Sequence, residues 1–112
     1  VIINDSKHYK DLTTYFKQAL KNIKEEGKII FTHSMPKTPY DVTDNPTKHQ
    51  FWCGYVQQFV LELISKGGYK VTTFDDGLGV SIVEIDETKE PKQIEVQGFE
   101  EVYFERLKLM NN

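Results

Sequence analysis

The feature that most constrains this chain is a five-residue turn set between two strand-like runs. Tyr69 to Phe74 and Val80 to Ile85 flank Asp75-Asp76-Gly77-Leu78-Gly79. Asp offers side-chain acceptors and Gly the positive backbone angles that tight reversals need, so the segment predicts an antiparallel hairpin. The sequence before it supplies two helices to pack against such a hairpin.

Tyr9, Leu12, Phe16, Ala19, Leu20 and Ile23 recur at helical spacing. They predict a helix over 7–26, capped by Ser6 or Asp5 and stopped at Gly27. A second helix is expected over 47–66. It starts either with Pro46 in its first turn or with the capping box Thr47-x-x-Gln50, and it stops at Gly67-Gly68. Trp52, Val56, Phe59, Val60 and Leu63 form its main stripe, and Phe51, Tyr55, Leu61 and Ile64 lie beyond it. That arc is wider than a surface helix needs, so this helix is either central to the fold or covered on a second side by a partner.

Lys28 to Thr32 reads as a buried strand, and Val1 to Asn4 as a short strand or a loose end. Gln93 to Gln97 alternates as a strand through Ile94 and Val96. From Phe99 to Met110 the pattern fits a helix, with Glu100 and Glu101 in its first turn, while Val102 and Phe104 also alternate as in a strand. The expected fold is α+β: two main helices packed on a small, mainly antiparallel sheet, with a C-terminal helix or strand. The 112 residues fit a single domain over 1–112. A chain of this size buries roughly 65% of its unfolded surface, enough for one core.

Cys53 is the only cysteine, which excludes an intrachain disulfide and fits a reducing compartment. No basic start with an apolar run behind it resembles a leader. The longest mostly apolar stretch, Phe51 to Ile64, is interrupted by Gly54, Gln57, Gln58 and Glu62. It falls short of the roughly 20 apolar residues that span a bilayer. The expectation is a cytoplasmic protein with no membrane partner.

The net charge of −3 is unevenly spread. Residues 1–56 carry eight lysines and six acids, whereas 57–112 carry five lysines, one arginine and eleven acids. Arg106 stands alone against thirteen lysines, and arginine is the residue best suited to bidentate phosphate and guanine contacts. Ala19 is the only alanine, and lysine and isoleucine are plentiful. That bias is what AT-rich codon usage produces, and it points to a low-GC bacterium or one of its phages or plasmids.

Candidate chemistry is sparse. His49 and Cys53 are one helical turn apart, and His33 could fold back toward them, but no fourth zinc ligand stands at signature spacing. The same three residues could be read as a thiol nucleophile with a histidine base. Cys53, however, lies on the apolar stripe, and burial there raises a thiol's pKa. Asp75, Asp76, Glu84 and Asp86 could gather at one end of the hairpin to hold a metal, although Asp-Asp-Gly is also what a turn demands. No phosphate-binding glycine motif or nucleophile elbow occurs. No catalytic residue, metal or cofactor is expected.

Two functional classes compete. Helix, strand, loop, helix and hairpin is the order of a winged helix, and Lys10, Lys17, Lys21 and Lys24 share one face of the first helix with Lys7 nearby. Against nucleic-acid reading, the second helix is dominated by apolar residues and the hairpin tip is Asp-Asp, which repels phosphate. The preferred expectation is a small non-catalytic module that binds another protein, in the form of a phage- or plasmid-encoded inhibitor or regulator of a host protein. Pairing with a second copy is compatible with it. Its expected partner surface is the sixteen-residue stretch from His33 to Lys48, which holds Pro36, Pro39 and Pro46. Met35, Tyr40 and nearby Trp52 are anchor types enriched at interfaces. Tyr40 sits between Pro39 and Asp41, and Asp75 and Asp76 add carboxylates from the hairpin tip.

Overall fold

The computed structural model describes residues 1–3, 8–23, 27–36, 55–94 and 107–112. Its elements run β1 (Ile2–Ile3), α1 (Tyr9–Asn22), β2 (Lys28–Thr32), α2 (Val56–Lys66), β3 (Tyr69–Phe74) and β4 (Val80–Ile85). A short helical turn follows over 107–109. The four strands form one sheet in the order β1-β2-β4-β3. The hairpin and the β2–β4 pair are antiparallel, and β1 joins β2 in parallel. The class is the expected α+β one, with the N-terminal residues resolved in favour of a strand.

One side of the sheet is buried by the helices. Leu12, Phe16 and Ala19 of α1 are buried together with Ile29 and Phe31 of β2, Val71 of β3 and Val83 of β4. In α2, Val56, Gln57, Phe59, Val60, Leu61, Leu63 and Ile64 are all buried. This is the central placement that its wide apolar arc allowed. Phe16 is the hub of an aromatic cluster, with ring centroids 6.0 Å from Phe31, 5.5 Å from Phe59 and 5.6 Å from Tyr69. Each of the three buried phenylalanines contributes about 1.5–3 kcal/mol by leaving water, and the half-buried Tyr69 less.

Three local expectations change. Helix α1 ends at Asn22, before Gly27: Ile23 is already extended at φ −79°, ψ 146°. Ile23 N–H still donates to the Ala19 carbonyl at 3.0 Å, and the Asn22 side chain donates to the Gln18 carbonyl at 2.9 Å, so the last turn is bonded up to this end. At the other end His8 occupies the cap position without a side-chain cap bond, and Asp5 and Ser6 lie outside the described residues. Gln93 and Ile94 are not in a strand. The segment before them bonds to the end of α2 instead: Gly68 N–H donates to the Lys89 carbonyl at 2.7 Å, and Lys92 N–H to the Ser65 carbonyl at 3.3 Å. Residues 47–54, 95–97 and 99–106 of the expected second helix, third strand and tail lie outside the described residues.

The stretch after β2 is drawn into the core. His33 has φ 61°, a left-handed conformation that turns the chain at the strand's end. Ser34, Met35 and Pro36 are buried behind it. Met35 N–H donates to the Leu78 carbonyl at 2.8 Å, so the hairpin turn clasps this segment. Gly79 makes that close approach feasible. At φ +94° it would place an added Cβ 2.5 Å from the Met35 nitrogen and 2.6 Å from its Cβ.

Candidate functional site

The register of the strands assembles a second sheet face, which no element among the described residues covers. Alternation sends Ile29, Phe31, Val71, Thr73, Ser81 and Val83 to the buried side. The intervening residues form three rows across the opposite side. Lys28, Glu84 and Lys70 make a charged row at one end. Ile2, Ile30, Ile82 and Thr72 make the middle row, and Thr32, Val80 and Phe74 the third. No residue of these rows is buried, and Ile2 and Phe74 are 67% and 52% exposed. Ile2 and Phe74 stand on the two edge strands, and Ile30, Val80 and Ile82 between them are half-buried; partly exposed apolar surface marks an interaction site when polar groups border it. Here Lys28 and Glu84 provide that border, 3.5 Å apart in an ion pair.

One edge of the sheet, in contrast, is closed. β3 is an edge strand, and its outward backbone groups are met by two asparagine side chains. Val71 N–H donates to Asn112 Oδ1 at 2.6 Å and Thr73 N–H to Asn111 Oδ1 at 2.8 Å. The same amides return donors to the Tyr69 carbonyl at 2.8 Å and the Thr73 carbonyl at 3.3 Å. Asn112 N–H adds a bond to the Val71 carbonyl at 3.1 Å. The pair thus stands in for a neighbouring strand and removes the template that an open edge offers. Thr73 ties the arrangement into the core. Its hydroxyl donates to the Met110 carbonyl at 2.8 Å and lies 2.7 Å from Ser81 Oγ, which is itself bonded to Ser34 Oγ at 2.8 Å. At the opposite edge β1 is only two residues long.

The residues singled out from sequence are dispersed. Met35 is fully buried in the core, with Gln57 Nε2 donating to its Sδ at 3.6 Å, so it presents no surface to a partner. Its short spacing from β2 and the left-handed turn at His33 fold it inward, which an apolar loop residue does not announce. Asp75 and Asp76 are exposed at the hairpin turn. Glu84 and Asp86 stand at the other end of the hairpin, because Phe74 pairs with Val80 and Lys70 with Glu84. Four residues of strand, about 13 Å, separate the two acidic pairs, so these four carboxylates do not gather. Among the described residues no three His, Cys, Asp or Glu side chains are placed to hold a metal ion. Tyr40, Asp41, His49, Trp52 and Cys53 lie outside the described residues. His33 is half-buried, with its Nδ1 3.0 Å from the Thr32 hydroxyl.

Asp86 has a local role. Thr88 donates to its Oδ1 from the hydroxyl at 2.6 Å and from the backbone at 3.0 Å. These bonds hold its carboxyl below the ordinary carboxylate range, the hydroxyl having the largest effect, and Lys89 and Lys70 add weaker attraction. Lys10, Lys17 and Lys21 are exposed on α1, as their spacing implied. Among the described residues no helix is long and apolar enough to cross a membrane.

The open face and the asparagine cap were both missed in the sequence. A signal for the first was present: β2 and β4 carry apolar residues at both parities, as Ile29-Ile30-Phe31 and Val80-x-Ile82-Val83 show. Such runs mark strands with two apolar sides. Comparisons with protein-family models, with curated proteins and with solved structures find no match to this chain.

Proposed function

We infer that this chain is a non-catalytic protein-binding module. The observation that supports the reading is the open sheet face, with Ile2 and Phe74 more than half exposed beside Ile30, Ile82 and Val80. Burying such a face against protein gains about 25 cal/mol for each Å² of apolar surface removed from water. The acidic second half and the single cysteine fit an intracellular inhibitor or regulator, the finer form of the same reading. In the test, the wild-type chain and Ile82→Lys are used as baits in a host-type lysate. Wild type retains a discrete protein partner, from the lysate or as added copies of the chain itself, and Ile82→Lys loses it, with the circular dichroism of the two unchanged. Equal retention by both would remove the face from the reading.

The element order α1, β2, α2, β3, β4 favours a second reading, a winged-helix nucleic-acid binder. Two features weigh against it. Seven of the eleven residues of α2 are buried, and Gln58, Ser65 and Lys66 are its exposed ones. Few side chains are then left to meet base edges in a groove. The hairpin tip also presents Asp75 and Asp76 where a wing would approach phosphates. Duplex binding that persists at moderate salt would favour this second reading.

A further inference from the structure

We propose that the occupant of the open sheet face is a second copy of this chain, packed face to face about a two-fold axis parallel to the strands. The inference rests on the protein-binding reading and names the partner. It begins with the charged row. Across β2, β4 and β3 the signs alternate as Lys28, Glu84, Lys70. A uniformly basic or acidic row would demand a partner of opposite charge, whereas an alternating row is its own complement.

The two-fold axis decides the register. Placed between β2 and β4, it sets Lys28 opposite Glu84 of the second copy and Glu84 opposite the second copy's Lys28. One row further, the same axis sets Ile30 opposite the second copy's Ile82, and Ile82 opposite its Ile30. Ile2, at one side of that row, faces Thr72 at the other. In the third row Thr32 and Val80 exchange places in the same way. Apolar rows therefore meet apolar rows and each central charge meets its opposite, as an isologous interface requires. Two twisted sheets stack in this manner with their strands within about 30° of each other.

Among the described residues, the edges of the sheet offer less to a second molecule than the face does. Along β3 the Asn111 and Asn112 side chains occupy the backbone groups that a strand of another molecule would need. On the other edge β1 offers two residues. Edge-to-edge pairing is thereby discouraged, while no described element lies over the face.

The test uses the whole chain and sedimentation equilibrium from low micromolar to several hundred micromolar. Wild type associates to a dimer. Glu84→Lys makes the row uniformly basic, and Lys28→Glu with Lys70→Glu makes it uniformly acidic. Each variant alone weakens self-association at least tenfold, and an equimolar mixture of the two restores a dimer containing one of each. The exposed Lys28–Glu84 pair carries little of the fold's stability, so both variants fold, which circular dichroism checks. A wild type that stays monomeric throughout overturns the proposal, and so does a dimer indifferent to both charge reversals. A mixture that fails to associate overturns it as well. The protein-binding reading fails separately: a monomeric wild type whose captured partner is lost in Ile82→Lys refutes the second copy and leaves that reading standing.

Discussion

Replacing Gly79 with alanine tests how the hairpin turn holds the segment after β2. Two penalties arise at once. Gly79 has φ +94°, where an L side chain is strained, at about 1–3 kcal/mol. The added Cβ would also stand 2.5 Å from the Met35 nitrogen and 2.6 Å from its Cβ, backbone and root atoms that cannot swing aside. Forcing an extra methyl into a packed site costs about 1–3 kcal/mol more. The sum, about 2–6 kcal/mol, is a large part of the 5–15 kcal/mol that holds a typical domain together. Gly77→Ala is the control. It too has positive φ, +60°, but nothing lies within 4 Å of its added Cβ. Its loss should be only the backbone one, about 1–2 kcal/mol. Urea unfolding followed by far-UV circular dichroism measures both. If Gly79→Ala is no more destabilising than Gly77→Ala, the close packing of Met35 on the turn is wrong.

Two further outcomes follow from the hydrogen bonds. Asn111→Ala removes both the acceptor of the Thr73 N–H and a donor to the Thr73 carbonyl; it should cost about 1–3 kcal/mol and speed hydrogen exchange at Thr73, and an unchanged exchange rate there would refute the cap. Asp86 has a depressed carboxyl pKa in the folded state, so its contribution is complete above the ordinary value of 3.8 and is lost as pH falls through the lower folded value. Wild type should therefore be more stable than Asp86→Asn near neutral pH, with the gap closing in acid, and a gap independent of pH would sink the assignment.

Much of the fold was legible in residue order because it depends on local chemistry. The hairpin over 69–74 and 80–85, the strand at 28–32 and the stop of α2 at Gly67 follow from alternation and from glycine's freedom at positive φ. The stripe Leu12, Phe16, Ala19 determined which side of α1 turns inward, since a 3.6-residue repeat leaves one face to bury.

Contacts between distant segments were decided only by tertiary structure. Alternation within a strand names two faces, but not which one the helices will cover. That choice placed Phe31 inside and Ile30 on the open side. Ser34 and Ser81 are 47 residues apart, and Thr73 and Asn111 are 38 apart, so their bonds leave no local pattern to read. Met35 shows the same limit most plainly. As a loop residue it suggested an exposed anchor, yet the left-handed turn at His33 and the space beside Gly79 make it core. The charged row has this origin too: Lys28, Glu84 and Lys70 are unremarkable surface residues until the register β2-β4-β3 sets them side by side.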